Sequence, residues 1–171
     1  MMDNGLLKEF SFNPEKGGLF YQDVRYLLIR PETLAVFQKA TEKELGERAS
    51  EILYESGAQG GTLSAKRYRE LFNLSDKESV GFMIRMGAQI GWGRFELERF
   101  DTSPKNLVVN VYHSPFAEAY GPSSSPVCHF IRGVLSGIAS VVFGQAVKST
   151  ESACLARGDS CCRFELKMGG G

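Results

Sequence analysis

The first thirty residues alternate short apolar groups with residues typical of turns. Apolar side chains cluster at 7–12, 19–21 and 26–29, and a turn rich in Pro and Gly at 14–18 separates the first two groups. Short apolar runs separated by such turns are typical of paired strands. We therefore predict N-terminal strands over residues 1–30, which could serve as a dimer contact.

A long amphipathic helix is predicted next. Apolar residues recur at helical spacing over 34–54, and Pro31 suits the first helical position. Gly57 could cap the carboxyl end of this helix. Gly60 and Gly61 then predict a break before a second helix.

The middle of the chain predicts a third helix followed by a hairpin. Ser75 and Glu78 have the spacing of a capping box, which opens a helix through Ile90. Polar and apolar positions alternate over 92–100, and a β-branched apolar run follows at 107–112. These two segments predict the strands of a hairpin.

A further helix and a second hairpin are predicted in the last third of the chain. A loop or short helix covers 115–126, a helix starts at Pro126, and strands at 146–155 and 161–168 close the chain. The helix carries unusually small residues, namely Gly133, Ser136, Gly137, Ser140 and Gly144. Such faces indicate close packing against a helix or sheet, or alternatively room for a ligand.

The order of these elements predicts an α+β fold. Strands, three helices, a hairpin, a helix and a second hairpin are typical of two layers, an antiparallel sheet with helices packed on one face. The length of 171 residues predicts a single domain over 1–171, with the N-terminal strands at 1–30 and a core at 31–168.

Composition narrows the classes of function. Hydrophobic residues make up 43% of the chain and charged residues 23%, which suits a packed core. Lys plus Arg and Asp plus Glu number 20 each, so no basic excess favours nucleic acid. The longest apolar stretch, 134–147, is too short and too interrupted for a membrane span. Without a recognisable secretory signal, we expect a cytoplasmic protein with reduced cysteines.

Four cysteines carry the strongest chemical signal. Cys128 precedes an apolar segment, while Cys154, Cys161 and Cys162 belong to the last hairpin. If residues 157–159 form the turn, with Gly158 at positive φ, Cys154 lies opposite Cys162 and the two thiols share a face. Cys161 then points to the other face and is expected to be an ordinary buried thiol.

Two facing thiols need two more ligands to complete a tetrahedral zinc site. Glu151 and Cys128 could supply them. Glu151 reaches the face of Cys154 only if a bulge or an irregular start interrupts the strand near Ser152, because alternate residues of a straight strand face opposite ways.

Other interpretations of the cysteines stay open at this point. Cysteines are often buried as small apolar residues, and Cys154 could instead form a cross-strand disulfide with Cys162. A zinc site of this composition would also carry net negative charge, which backbone amides and Arg157 or Arg163 could offset.

The last hairpin resembles a known family signature. The pattern consists of Glu151, Cys154, Ala156, Gly158, Cys162 and Phe164. It is similar to the carboxy-terminal signature of the 4-vinyl reductase-like domain, a family that resembles the Bet3-type subunits of vesicle-tethering complexes and the sensor domains of phenol-responsive activators. The resemblance implies a Bet3-like α+β domain, often a homodimer, with an apolar pocket for a small hydrophobic or aromatic molecule.

The resemblance also implies a metal. In the phenol-responsive sensors a structural zinc ion is held by three Cys and one Glu. Carried over to this sequence, the ligands are Cys128, Glu151, Cys154 and Cys162.

Five residues are candidates for binding the small molecule, namely Trp92, Tyr112, His113, Phe130 and Ile138. Large apolar side chains with a few polar groups are typical of ligand pockets. His113 ends an apolar strand beside a loop that could act as a lid. Each of these residues also fits an ordinary role in the core or on the surface.

The function predicted first is a zinc-stabilised sensor or carrier domain for a hydrophobic or aromatic ligand. An enzyme of tetrapyrrole or other hydrophobic-substrate metabolism is the second hypothesis, and a dimeric interaction scaffold is the third. No nucleophile–base pair, dinucleotide-binding loop or iron–sulfur pattern supports reductase activity. We expect a sensor of this kind to act through a separate regulatory protein.

Overall fold

The computed structural model describes residues 4–103 and 105–168, so residues 1–3, 104 and 169–171 of the predicted domain lie outside the described residues. The helices are Gly5–Lys8 (α1), Pro31–Leu45 (α2), Arg48–Phe72 (α3), Asp76–Gln89 (α4), Pro115–Tyr120 (α5) and His129–Phe143 (α6). The strands are Phe10–Asn13 (β1), Gly18–Tyr21 (β2), Val24–Tyr26 (β3), Arg94–Thr102 (β4), Lys105–Tyr112 (β5), Val147–Ala153 (β6) and Cys162–Met168 (β7).

The strands form two antiparallel sheets. The N-terminal sheet has the order β1-β2-β3, and the larger sheet has the order β4-β5-β7-β6. Helix α4 packs on β4, and α6 packs on β6 and β7. The predicted α+β class with helices on an antiparallel sheet is confirmed, and the predicted hairpins are the pairs β4–β5 and β6–β7.

The N-terminal strands differ in their bounds from the prediction. Leu7 lies in the short helix α1, where its N–H donates to the Asn4 side chain at the helix start. The third strand ends at Tyr26, which pairs with Leu19 near the start of β2. Residues 27–29 lie beyond this pairing, and their apolar side chains are exposed.

The helix predictions before residue 73 were wrong in their boundaries. The predicted single helix is divided at Gly46, which has a φ of 57° and ends α2. Conversely, Gly57, Gly60 and Gly61 neither cap nor break a helix, because α3 runs through all three. Local glycine signals were overridden here by the packing of α3 against α6.

The glycines of α3 and α6 bring two backbones into direct contact. A Cβ added at Gly57 would overlap the carbonyl oxygen of Phe130, and one added at Gly133 would overlap that of Tyr54. Only glycine allows an approach this close. The close-packing interpretation of the small residues in α6 is therefore the one that the structure supports for this face.

Helix α6 lies at the centre of the molecule. It packs against β6 and β7 on one side and along α3 on the other, and most of its residues are buried. A helix that is apolar on all sides is typical of such a position. The larger sheet faces it with Phe164 and Leu166 of β7, which are fully buried.

The N-terminal sheet docks on α3 and α4 through aromatic side chains. Tyr21 packs edge-on against Tyr68 with ring centroids 5.7 Å apart, and Tyr68 contacts Phe82 at 5.2 Å. At the rim, Arg67 of α3 forms a salt bridge with Asp23. The sheet is thus anchored to the helices by a buried aromatic cluster and a surface ion pair.

Helix α4 begins as predicted, because Ser75 and Glu78 form a complete capping box. In the part of the chain that the structure describes, no helix combines the length and the apolar character that crossing a membrane requires.

Candidate metal centre and apolar cavity

A bulge in β6 sets the geometry of the last hairpin. Glu151 pairs with Phe164 and Ala153 pairs with Arg163, so Ser152 is an additional residue in the strand. One additional residue reverses the alternation of the side chains that follow it. Glu151 and Cys154 consequently face the same side, and the predicted bulge near Ser152 is confirmed.

The connection between β6 and β7 is longer than predicted. It comprises residues 154–161 and includes a 3₁₀ turn at Leu155–Arg157, so the three-residue turn at 157–159 was wrong. Gly158 does have the expected positive φ, at 92°. The carboxylate of Asp159 accepts a hydrogen bond of 2.8 Å from the backbone N–H of Cys154 and fixes the loop from within.

The four predicted metal donors lie together in the core. The ligand atoms of Cys128, Glu151, Cys154 and Cys162 are all within 4.8 Å of one another. None of these residues is more than 6% exposed. The Sγ atoms of Cys128 and Cys162 are 3.5 Å apart, close to the ~3.8 Å that two thiolates span in tetrahedral zinc coordination with Zn–S bonds of ~2.3 Å.

Each donor comes from a different local structure. Cys128 occupies the position before α6, which begins at His129 rather than at Pro126 as predicted. Glu151 precedes the bulge in β6, Cys154 follows it, and Cys162 starts β7. Residues distant in sequence thus converge where the beginning of α6 meets the end of the hairpin.

The electrostatics of the cluster fit a cation. Glu151 accepts the backbone N–H of Cys128 at 3.0 Å through Oε2, while its Oε1 is buried and has no hydrogen-bond partner among the described residues. Burial and the neighbouring Cys154 raise the pKa of Glu151 to about 8. A carboxylate oxygen held without a partner inside a cluster of thiols is typical of an atom that faces a metal.

The contacts among the thiols shift their pKa values in opposite directions. Hydrogen bonds to Cys154 and Cys162, together with burial, raise the pKa of Cys128 well above its usual value. The corresponding hydrogen bonds lower the pKa of Cys154. The thiols thus lie within hydrogen-bonding distance of one another, and a divalent cation could be held by the same four residues.

The groups expected to offset the negative charge of the donor cluster were only partly predicted. The backbone N–H of Leu155 donates to the Sγ of Cys162 at 3.4 Å, as expected for the turn. Arg157 is engaged by Asp159 within the loop. Arg163 was wrongly expected near the cluster, because it lies on the opposite face of β7 and pairs with Glu98 of β4.

All four cysteines are free thiols, so the structure contains no disulfide between Cys154 and Cys162. Cys161 lies outside the donor cluster, as predicted. Its side chain is half-buried rather than buried.

A separate apolar cavity of about 150 Å³ lies between α3, α4 and α6. Trp92, Phe130 and Ile138 line it, as do Met83 and Met86 of α4. Because Phe130 follows Cys128 by two residues, the donor cluster lies at the start of the helix that forms one wall of the cavity.

Tyr112 and His113 do not line this cavity. Val111 faces the core, so alternation turns Tyr112 outward, where the Cζ of Arg94 lies 3.9 Å from its ring centre. His113 has a φ of 54°, its side chain is 83% exposed, and its Nδ1 is 3.6 Å from a carboxylate oxygen of Glu118.

Tyr26 and Ser64 also line the cavity, and sequence reasoning did not identify either of them. Tyr26 reaches the cavity only because the N-terminal sheet docks on the helices. Ser64 lies in a helix segment that was predicted with the wrong boundaries. No local motif marks either residue.

Comparison with known proteins agrees with this geometry. The family model of the 4-vinyl reductase domain matches residues 107–168, the segment that contains all four donors. The resemblance to this family is confirmed. The match includes helix α6 and the hairpin of β6 and β7, and this hairpin carries the predicted signature.

Two further similarities extend over most of the chain. The phenol regulator MopR of Acinetobacter guillouiae is 27% identical over 169 residues, which are 93% of this chain and 30% of that protein. The chain therefore spans less than a third of the length of this relative. The phenol-responsive sensory domain of the transcription activator PoxR, solved with phenol, has a TM-score of 0.81 at 21% identity, covering 95% of this chain and 86% of its own.

The fold is also similar to that of a trafficking protein. Subunit 3 of the trafficking protein particle complex from Naegleria fowleri, solved covalently bound to palmitic acid, has a TM-score of 0.60 at 12% identity. The alignment covers 82% of this chain and 95% of that subunit. The similarity supports the Bet3-like architecture of the fold.

Proposed function

We propose that this chain is a small-molecule sensor domain whose cavity binds one compact aromatic or hydrophobic molecule. The observation that carries the proposal is the cavity of about 150 Å³ lined mainly by apolar side chains. A cavity of about this size with an apolar lining can hold a single benzene ring. Similarity to a phenol regulator and to a phenol-responsive sensory domain supports the same ligand class.

We further propose that Cys128, Glu151, Cys154 and Cys162 hold a structural zinc ion. Three sulfur donors and one carboxylate, all buried, match the ligands and the closed coordination of structural zinc sites. When bound, zinc supplies a cross-link between separate segments. The protein's own residues position the start of α6 against the last hairpin.

A homodimer through residues 27–37 is also proposed. Leu27 and Leu28 are 83% and 88% exposed, and Val36 and Phe37 of α2 are 67% and 60% exposed. Large exposed apolar side chains that lie close together in the sequence make this segment a candidate interaction site. Leu28→Glu is expected to shift a dimer to monomer in sedimentation, whereas Leu63→Glu, at an exposed leucine of α3, should leave it unchanged.

The regulatory output of the sensor is proposed to pass to a separate regulatory protein in the cytoplasm. The buried free thiols support a reducing compartment, since thiols of this kind persist there.

The ligand proposal is tested by thermal unfolding with a panel of single-ring aromatics, two-ring aromatics and palmitate. A ligand at 100 times its dissociation constant adds about 2.7 kcal/mol of stability, which corresponds to a rise in Tm of roughly 5–10 °C for a protein of this length. Single-ring compounds should give this rise, and the larger compounds should not fit. Unchanged melting across the single-ring compounds would contradict the proposal.

A further inference from the structure

The cavity contains few polar groups. Of the described residues that line it, only Tyr26, Ser64 and Trp92 carry a side-chain O–H or N–H group, and none of the lining residues is charged. An apolar cavity without a compensating charge disfavours an ionised ligand. A polar atom on the ligand must therefore be neutral and must be matched by one of these three side chains.

The hydroxyl of Tyr26 retains hydrogen-bonding capacity at the cavity wall. It lies 2.5 Å from the hydroxyl of Tyr68 and 3.9 Å from the sulfur of Met86, which itself lines the cavity. Each phenol can donate one hydrogen bond and also accept, whereas a thioether is a weak acceptor. After the bond to Tyr68, Tyr26 can still donate or accept at the cavity wall.

The surroundings keep this pair of phenols neutral. Tyr68 is almost fully buried on α3, and burial raises its pKa, as burial also does for Tyr26. A neutral hydroxyl can exchange its donor and acceptor roles with Tyr68, so it can serve either a hydroxyl or a carbonyl oxygen on the ligand.

We infer that Tyr26 is a specificity-determining residue of the cavity and that its hydroxyl pairs with a single uncharged oxygen on a small aromatic ligand. The inference rests on the proposed ligand-binding function and adds the chemistry by which the cavity selects its ligand. A site that offers a hydrogen bond discriminates against an analogue without the polar atom, because the protein group then stays unpaired.

The position of Tyr26 couples this contact to the N-terminal sheet. Tyr26 ends β3, where it pairs with Leu19 of β2, and its ring packs against Phe10 with centroids 5.1 Å apart. A ligand that bonds Tyr26 is therefore linked through this residue to all three strands of the docked sheet. Occupancy of the cavity stabilises the sheet against local opening.

The test compares phenol with toluene, which has a methyl group in place of the hydroxyl, on the full chain with its metal. Trp92 is the only tryptophan and lines the cavity, so its fluorescence reports binding directly. The variants are Tyr26→Phe and, as a matched control, Tyr120→Phe, whose hydroxyl donates to Glu42 outside the cavity.

In Tyr26→Phe, the affinity for phenol should fall roughly 3- to 10-fold, as expected for one lost hydrogen bond. The affinity for toluene should stay the same or increase, and Tyr120→Phe should bind both compounds as the unaltered protein does. Phenol should also slow amide hydrogen exchange over residues 10–26, and Tyr26→Phe should lose this effect.

Two results would overturn the inference. If phenol binds Tyr26→Phe as tightly as the unaltered protein, or if phenol and toluene lose affinity equally, Tyr26 does not select for oxygen while the cavity still binds ligands. If neither compound binds the unaltered protein, the proposed function fails together with this inference.

Discussion

At the scale of single residues, the cluster of candidate metal donors depends on Ser152. This residue interrupts the pairing of β6 with β7, and without it Glu151 would face away from Cys154. The two thiols of the hairpin and Cys128 of the adjoining segment then enclose a carboxylate with an unpaired, buried oxygen. One inserted residue thus brings Glu151 to the same side of the hairpin as Cys154 and completes a cluster of four candidate metal donors with Cys128.

The neighbouring cysteines 161 and 162 provide a matched pair of variants. Cys162→Ala removes a donor of the cluster, so the protein should lose its zinc and more than about 3 kcal/mol of unfolding free energy, since metal loss is among the most destabilising changes. Cys161→Ala should retain the metal and cost less than about 1 kcal/mol. Elemental analysis and urea unfolding measure both effects, and the reverse order would contradict the assigned register.

Three of the four candidate donors could be grouped from the sequence because their relation is local. Glu151, Cys154 and Cys162 belong to one hairpin, and alternation along its strands limits which side chains share a face. Cys161 was separated from them by the same rule. The role of Arg163 could not be predicted, because its partner Glu98 lies in another strand far away in the sequence.

At the scale of elements, the contact of α3 with α6 organises the helices. Glycines on both helices allow each backbone to approach the carbonyl groups of the other. From the sequence, the glycines of α3 were predicted to end helices, because glycine is common just after the last turn of a helix. Whether a glycine caps a helix or packs inside one depends on the partner helix, which local sequence does not specify.

Alanine substitutions test this contact. Gly133→Ala should destabilise the protein by about 1–3 kcal/mol, because the new Cβ would overlap the carbonyl oxygen of Tyr54. Gly81→Ala is the matched control in α4, where a Cβ would meet only the flexible end of Arg85 at 3.4 Å. The control should gain up to about 1 kcal/mol from helix propensity. Equal effects in thermal unfolding would contradict close backbone packing.

The outer face of the larger sheet carries an ionic contact across three strands. Arg163 of β7 contacts both Glu98 of β4 and Asn110 of β5. Hydrogen bonds from Arg163 and Asn110 lower the pKa of Glu98 to about 2. Because this pKa lies below that of the unfolded chain, ~4.3, the contact contributes stability above that value and loses it as the pH falls towards 2.

Glu98→Gln tests this pH dependence. The difference in unfolding free energy between the unaltered protein and the variant should be largest near pH 7 and should decrease below about pH 4.3. Urea unfolding of both proteins at each pH measures the difference. A difference that is constant from pH 7 to pH 3 would show that the charge of Glu98 contributes nothing to the unfolding free energy.

At the scale of the whole molecule, α6 connects the candidate metal centre to the cavity. The helix starts beside Cys128 and then presents Phe130, Val134 and Ile138 to the cavity. The class of the fold, its antiparallel sheet and the clustering of three cysteines with Glu151 could all be predicted from the sequence. The cavity was not, because its walls come from the N-terminal sheet, three helices and Trp92, and their mutual packing decides which side chains meet.

The central claim, that this cavity is the ligand site, is tested most directly by filling it. Ile138→Phe adds ring atoms at a position that lines the cavity. A single-ring aromatic titrated against the fluorescence of Trp92 should bind the unaltered protein saturably, with one molecule per chain. The variant should keep its fold by circular dichroism and bind at least about tenfold more weakly, a loss of about 1.4 kcal/mol. Equal affinity for the two proteins would contradict the claim.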